Sequence, residues 1–166
     1  MATKTERIAA AKERLRYADS YTRLPRLLAL APLLPCEQWR RLLGRYWSIC
    51  DNVGMHLRAL RKALPAQGPV LEMMTAGERR AWQALPDRVT VYRGCGRVNM
   101  RGACWSLSRD VAAKFPTLHR YWQKTPLLLT ATVNKREILA VKLDRGEHEI
   151  ITFRARVGLV EDLPHG

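Results

Sequence analysis

The hydrophobic pattern changes period near the middle of the chain. Up to about Leu85 the apolar positions recur at helical spacing;. Residues 4–20 are rich in Ala, Glu, Lys and Arg and favour helix;. Leu24 to Ala31 predicts a second, short helix that ends near Pro32 and Pro35;. The strongest pattern runs from about Glu37 to Ala63. Trp39, Leu43, Tyr46, Cys50, Val53, Leu57, Leu60 and Leu64 follow one another in steps of four and three, so one continuous helix would carry them on a single stripe;. Arg40, Arg41, Arg45, Arg58, Arg61 and Lys62 lie between them and are expected on the solvated face. Thr75 and Glu78 have the spacing of a capping box;. The helix they open includes Ala81, Trp82 and Leu85, and Pro86 stops it.

From Asp87 onward the period is two. Val89 to Arg93 alternates as a strand, and Gly94-Cys95-Gly96 breaks it;. Trp105 to Ser108 is short and extended. Arg109 to Phe115 predicts a helix with Ser108 as its cap, Asp110 in its first turn and Pro116 just beyond;. Strands are expected over Leu127–Val133, Ile138–Leu143 and Glu147–Phe153, and a last one over Val157–Val160. Short strands at close spacing form a mostly antiparallel sheet. The expected fold class is α+β, with a helical N-terminal region (1–86) packed on a sheet core (87–166) as one compact unit.

Composition adds three constraints. In 166 residues, 47% are hydrophobic, enough for a packed core and against disorder as the default state;. The net charge is +14, of which +8 lies in residues 1–88 (16 Lys and Arg against 8 Asp and Glu). A field spread in this way attracts polyanions: nucleic acid, an acidic protein surface or a pyrophosphate. The cysteines, Cys36, Cys50, Cys95 and Cys104, have no two-residue gap, and His56, His119, His148 and His165 form no ligand cluster, so no metal is predicted;. Scattered cysteines and a charged N-terminus without an apolar signal core point to reduced thiols in the cytoplasm. The longest apolar run, Leu27 to Leu34, is short and interrupted by Pro32, so no membrane partner is expected;.

Three short segments carry candidate chemistry. Tyr92-Arg93-Gly94 ends the first strand, where an arginine beside glycines suits a phosphate;. Ser106 and Ser108 flank Leu107 after Trp105. Glu147-His148-Glu149 opens a strand, and strand alternation would place Glu147 and Glu149 on one face;. Each segment has an ordinary explanation: a surface arginine before a turn, a helix cap, acids that blunt a sheet edge.

Taken together and in this order, the three segments resemble the ADP-ribosyltransferase family, in its Arg–Ser–Glu branch of bacterial toxins and phage enzymes. That branch has an aromatic-Arg-Gly motif, a Ser-Thr-Ser motif after an aromatic residue, and a Glu-x-Glu or Gln-x-Glu motif. The resemblance covers about residues 80–160, and Leu107 stands where the family has Thr. It implies a split β-sheet core, a helix carrying Val111, Ala112 and Phe115 after the serine motif, and NAD as substrate. It further implies that Arg93 pairs with the NAD phosphates and the Gly94 backbone holds the nicotinamide amide. Tyr92 lies beside them, either at the cofactor or in the core. Ser106 hydrogen-bonds Glu149, and Glu149 binds the nicotinamide ribose and stabilises the positive charge developing on it. Glu147 orients or deprotonates the acceptor. Only Asp144-Arg145-Gly146 precedes Glu147, where the family has a longer target-recognising loop. Protein arginine is the first acceptor implied, and nucleic acid the second. The competing readings are a basic nucleic-acid-binding module without catalysis, and an NAD glycohydrolase.

Overall fold

A computed structural model describes residues 3–164. It is an α+β structure with six α-helices and a six-stranded antiparallel sheet. Helix α1 (Lys4–Arg16) starts where Thr3 and Glu6 close a capping box;. It stops short of residue 20 because Asp19 accepts from the amides of Tyr21 and Thr22, at 3.0 and 2.7 Å, and turns the chain;. Helix α2 (Arg23–Leu30) follows, then α3 (Cys36–Tyr46), α4 (Leu57–Ala63), α5 (Ala76–Ala84) and α6 (Arg109–Lys114). The capping box of Thr75 and Glu78 opens α5, and Ser108 caps α6, as expected.

The continuous helix expected over 37–63 is not formed. After α3 the chain enters a tight 3-10 turn, Trp47–Ile49, and Asn52 adopts a left-handed φ of 59° before a second such turn, Val53–His56. Tertiary partners compete with helix propagation here. The Asp51 amide donates to the Ser20 carbonyl at 2.8 Å, and its carboxylate accepts from the Tyr121 hydroxyl at 2.8 Å. Asn is among the few side chains that tolerate the left-handed region. The apolar spacing runs on through the break, so the stripe alone does not reveal it.

The strands are β1 (Arg88–Cys95), β2 (Cys104–Ser106), β3 (Leu127–Asn134), β4 (Ile138–Lys142), β5 (Glu149–Thr152) and β6 (Arg156–Asp162). Their order is β4-β5-β2-β1-β3-β6, and every neighbouring pair is antiparallel. The central pair is thin: β1 and β2 share one registered position, Tyr92 opposite Ser106. The linkage from β3 to β4 shows what this joint permits. Three residues, Lys135 to Glu137, connect them, and four peptide steps reach at most about 14 Å. In a flat sheet the two strands would stand four spacings apart, about 19 Å. The sheet is therefore folded, with β4-β5-β2 turned against β1-β3-β6 about the Tyr92–Ser106 joint.

Glu137 fastens that fold. It is buried, and Arg156 at the start of β6 donates to both its carboxylate oxygens, at 2.8 and 2.7 Å. Its backbone carbonyl accepts from the Thr152 hydroxyl at the end of β5. The Arg156 contact holds the carboxyl down to about 2;. Although β4 is an edge strand, all five of its residues are buried. The loop before α5 covers it, with the Val70 amide donating to the Leu139 carbonyl at 2.7 Å. Lys142 and Glu78 pair at 3.0 Å, each almost fully buried;. One apolar cluster unites Leu24, Trp39, Leu43 and Leu60 of the helices with Leu129, Leu139 and Ile150 of the sheet. Among the described residues, no helix is long and apolar enough to cross a membrane.

Candidate active site

A cavity of about 580 Å³ opens where the two halves of the sheet diverge. That volume is in the range of small-molecule sites. Its walls come from β1, from the segment that enters β2, from α6, from the turn before β5 and from residues Trp47 to Met55. Tyr92, Arg93, Gly94, Ser106, Glu147 and Glu149 all line it. Val111, Ala112 and Phe115 line it as well. Trp105 also reaches it, but is 4% exposed and packs in the core.

Arg93 is held by its own neighbourhood. Its guanidinium donates to the Cys104 carbonyl at 2.8 Å and to the Asn99 carbonyl at 3.2 Å. Its Nε is buried without a hydrogen-bond partner. The group lies flat against Gly102: a Cβ there would come within 2.4 Å of the guanidinium carbon. Gly94 has a packing role beside any ligand role. A Cβ on it would sit 1.9 Å from the Ala112 carbonyl, so only glycine lets α6 lie against β1;. Tyr92 is half-buried at the joint between the halves of the sheet.

The serine and glutamate expectations need two corrections. Glu147 does not share a strand face with Glu149. Strand β5 begins at Glu149, whereas Glu147 has helical dihedrals and His148 a left-handed φ of 43°. The two carboxylates reach the same cavity through a tight turn and not through strand alternation. Ser106 is registered opposite Glu149, but its hydroxyl donates to the Glu147 backbone carbonyl at 3.0 Å and accepts from the Ser108 amide at 3.0 Å. It fixes the turn, not the Glu149 carboxylate.

That carboxylate is held by Trp47, whose indole N–H donates to Oε1 at 3.0 Å. Burial lifts the Glu149 carboxyl above its ordinary value, against the Cys104 thiol and the Trp47 indole, which pull it down; nearby Glu147 adds to the rise;. Glu147 is also lifted by burial, with Arg145 opposing and Asp144 assisting. Burial pushes the Cys104 thiol well above its ordinary value, and the Glu149 charge pushes it further, which favours the neutral thiol;.

Trp47, Asp51 and Tyr121 are cavity residues that the sequence reading does not single out. The available signal for Trp47 was a large apolar residue beside the stripe of an otherwise amphipathic helix. Asp51 is 8% exposed, and the Arg120 guanidinium stands 3.2 Å from its Oδ2. Among the described residues no group of three His, Cys, Asp or Glu is placed to hold a metal ion, and His165 lies outside them. No protein-family model, curated protein or solved structure matches this chain.

Proposed function

We propose that this chain is a mono-ADP-ribosyltransferase, breaking the nicotinamide–ribose bond of NAD and passing ADP-ribose to a macromolecule. The observation that carries this reading is the convergence of Arg93, Ser106 and Glu149, from three strands, on one cavity. A surface arginine, a capping serine and an edge glutamate have no reason to meet. A sheet folded about the β1–β2 joint is also the kind of split core the reading requires.

The residues present suit the substrate. Two guanidinium N–H groups of Arg93, one on each terminal nitrogen, are engaged with carbonyls, and the second N–H of each terminal nitrogen is left for phosphate oxygens;. Bound NAD supplies its own leaving group, since nicotinamide departs with the bonding electron pair. Glu149, as carboxylate, accepts from a ribose hydroxyl and stabilises the positive charge that develops on the sugar. A cavity partly screened from water strengthens that effect. Glu147 takes the proton of the incoming acceptor. The balance is NAD plus acceptor–H giving nicotinamide, ADP-ribosyl acceptor and a proton.

Protein arginine is the first acceptor class. Nucleic acid is the second, because a net charge of +14 attracts polyanions;. Action in the cytoplasm, of a bacterial cell where the protein is phage-borne, belongs to the same reading. The test is incubation with labelled NAD and a cell lysate, beside Glu149→Gln. Label should move to protease- or nuclease-sensitive material. The substitution should slow nicotinamide release on the order of 100- to 1000-fold. Release of free ADP-ribose alone would identify water as the acceptor. If the native protein releases no nicotinamide, the reading fails.

A further inference from the structure

We infer that Trp47, from the helical region, is the positioning residue that orients the Glu149 carboxylate for reaction; the inference rests on the transferase reading. The resemblance gives that task to a serine. Here the Ser106 hydroxyl is committed to the Glu147 carbonyl at 3.0 Å, whereas the Trp47 indole N–H meets Glu149 Oε1 at 3.0 Å.

The geometry suits orientation. Trp47 is 2% exposed and sits in a 3-10 turn at the end of α3. Its ring is walled in and has little freedom to swing away. The next residue, Ser48, donates to the Asp144 carboxylate in the turn that leads to Glu147 and Glu149. Two consecutive residues of the helical region thus grip the approach to β5. An indole N–H donates and cannot accept. It holds the carboxylate in its accepting form and cannot take the proton that the acceptor releases. The bond engages Oε1 and not Oε2.

Glu149 is also faced by the Cys104 thiol from β2, by Glu147, and by Lys142, registered opposite it on β4. Arg93 on β1 lies beside Cys104. Against that background, removing one donor to the carboxylate favours its protonated form. If catalysis needs the ionised form, the acidic limb of the rate profile moves to higher pH when Trp47 loses its N–H.

The test uses the full chain with Trp47→Phe. A second version replaces residue 47 with 3-benzothienylalanine, which keeps the indole shape with sulfur in place of N–H. Nicotinamide release is measured across pH, and Glu149 is titrated by carbon-13 resonance of labelled glutamate. The expected result is a fall in kcat of about 10- to 100-fold, from loss of one charge-assisted hydrogen bond. KM for NAD should change far less, and both the acidic limb and the Glu149 titration should move upward. In the native protein the Trp47 indole proton resonance should follow the same titration. If native protein turns over NAD and the benzothienyl version keeps kcat and the limb, the inference is overturned and the transferase reading stands. A fall in kcat with limb and titration unmoved makes Trp47 merely structural and also overturns it. Absence of nicotinamide release from native protein removes the reading itself and the role with it.

Discussion

The two ends of the cavity are built in different ways. At one end, Arg93 donates to the Asn99 and Cys104 carbonyls and lies against Gly102, all in the stretch from the end of β1 to the start of β2. At the other, Glu149 depends on distant chain. Trp47 reaches it across 102 residues, Ser48 ties the preceding turn through Asp144, and Glu78 pairs with Lys142, which is registered opposite Glu149. The helical region reaches the Glu149 end through Trp47, Ser48 and Glu78. The hydrogen bonds of Arg93 all stay within the sheet core. On the proposed reading, anion binding would therefore rest on the sheet core, and placement of the Glu149 carboxylate on both regions. Loosening the helical region should lower turnover before it lowers affinity for NAD.

The largest effect is expected where the tie is most deeply buried. Glu78 closes the capping box of α5, accepts from the Leu143 amide at 3.2 Å and pairs with Lys142 at 3.0 Å, with both side chains 4% exposed. Glu78→Gln leaves the Lys142 ammonium buried without its counter-charge. The expected loss is about 3–5 kcal/mol of unfolding free energy, read from denaturant midpoints. A loss under about 1 kcal/mol would mean the pair behaves like a surface contact, and the claimed tie would be weak.

Arg93→Lys probes the other end. An ammonium has three donors on one nitrogen and lacks the planar fork that spans the two carbonyls while presenting further N–H groups to an anion. NAD affinity should fall about 10-fold, or about 1.4 kcal/mol, by calorimetry, while kcat at saturating NAD changes much less. Unchanged affinity would remove Arg93 from the site. A change in kcat larger than the change in affinity would erase the contrast between the two ends.

The contrast also explains what the sequence could reveal. The strands and the caps at Thr75 and Ser108 were legible from local periodicity and cap spacing, and the resemblance implied the meeting of Arg93, Ser106 and Glu149. The break at 47–56 was not legible. The stripe from Trp39 to Leu64 continues in register through it, and the contacts that stop the helix come from Ser20, Tyr121 and Glu149. The Glu147 turn was misread for a related reason. Two carboxylates one residue apart look like strand alternation, and nothing local announces that His148 adopts a left-handed φ of 43°. Likewise, the partner of the Glu149 carboxylate could not be read from motifs, because Trp47 belongs to a region with no motif of its own.

Ser48→Ala gives the smallest expected effect and the finest division. The turn before β5 holds Arg145 at φ 59°, Gly146 at φ 68° and His148 at φ 43°. Two of these are not glycine, and such residues cost on the order of 1–3 kcal/mol each unless their surroundings hold them. Three contacts hold this turn: Ser48 to the Asp144 carboxylate, Ser106 to the Glu147 carbonyl, and the Leu107 amide to the His148 carbonyl at 3.1 Å. Removing the first should cost about 0.5–1.5 kcal/mol and loosen Glu147 more than Glu149, which keeps Trp47. Transfer to the macromolecular acceptor should therefore drop about 2- to 10-fold, with NAD affinity unchanged and nicotinamide release to water less affected. The ratio of transferred to hydrolysed ADP-ribose reads the difference. If transfer and release fall together, the turn positions the bond-breaking carboxylate as well, and the Glu149 end acts as one rigid unit and not as two separately held groups.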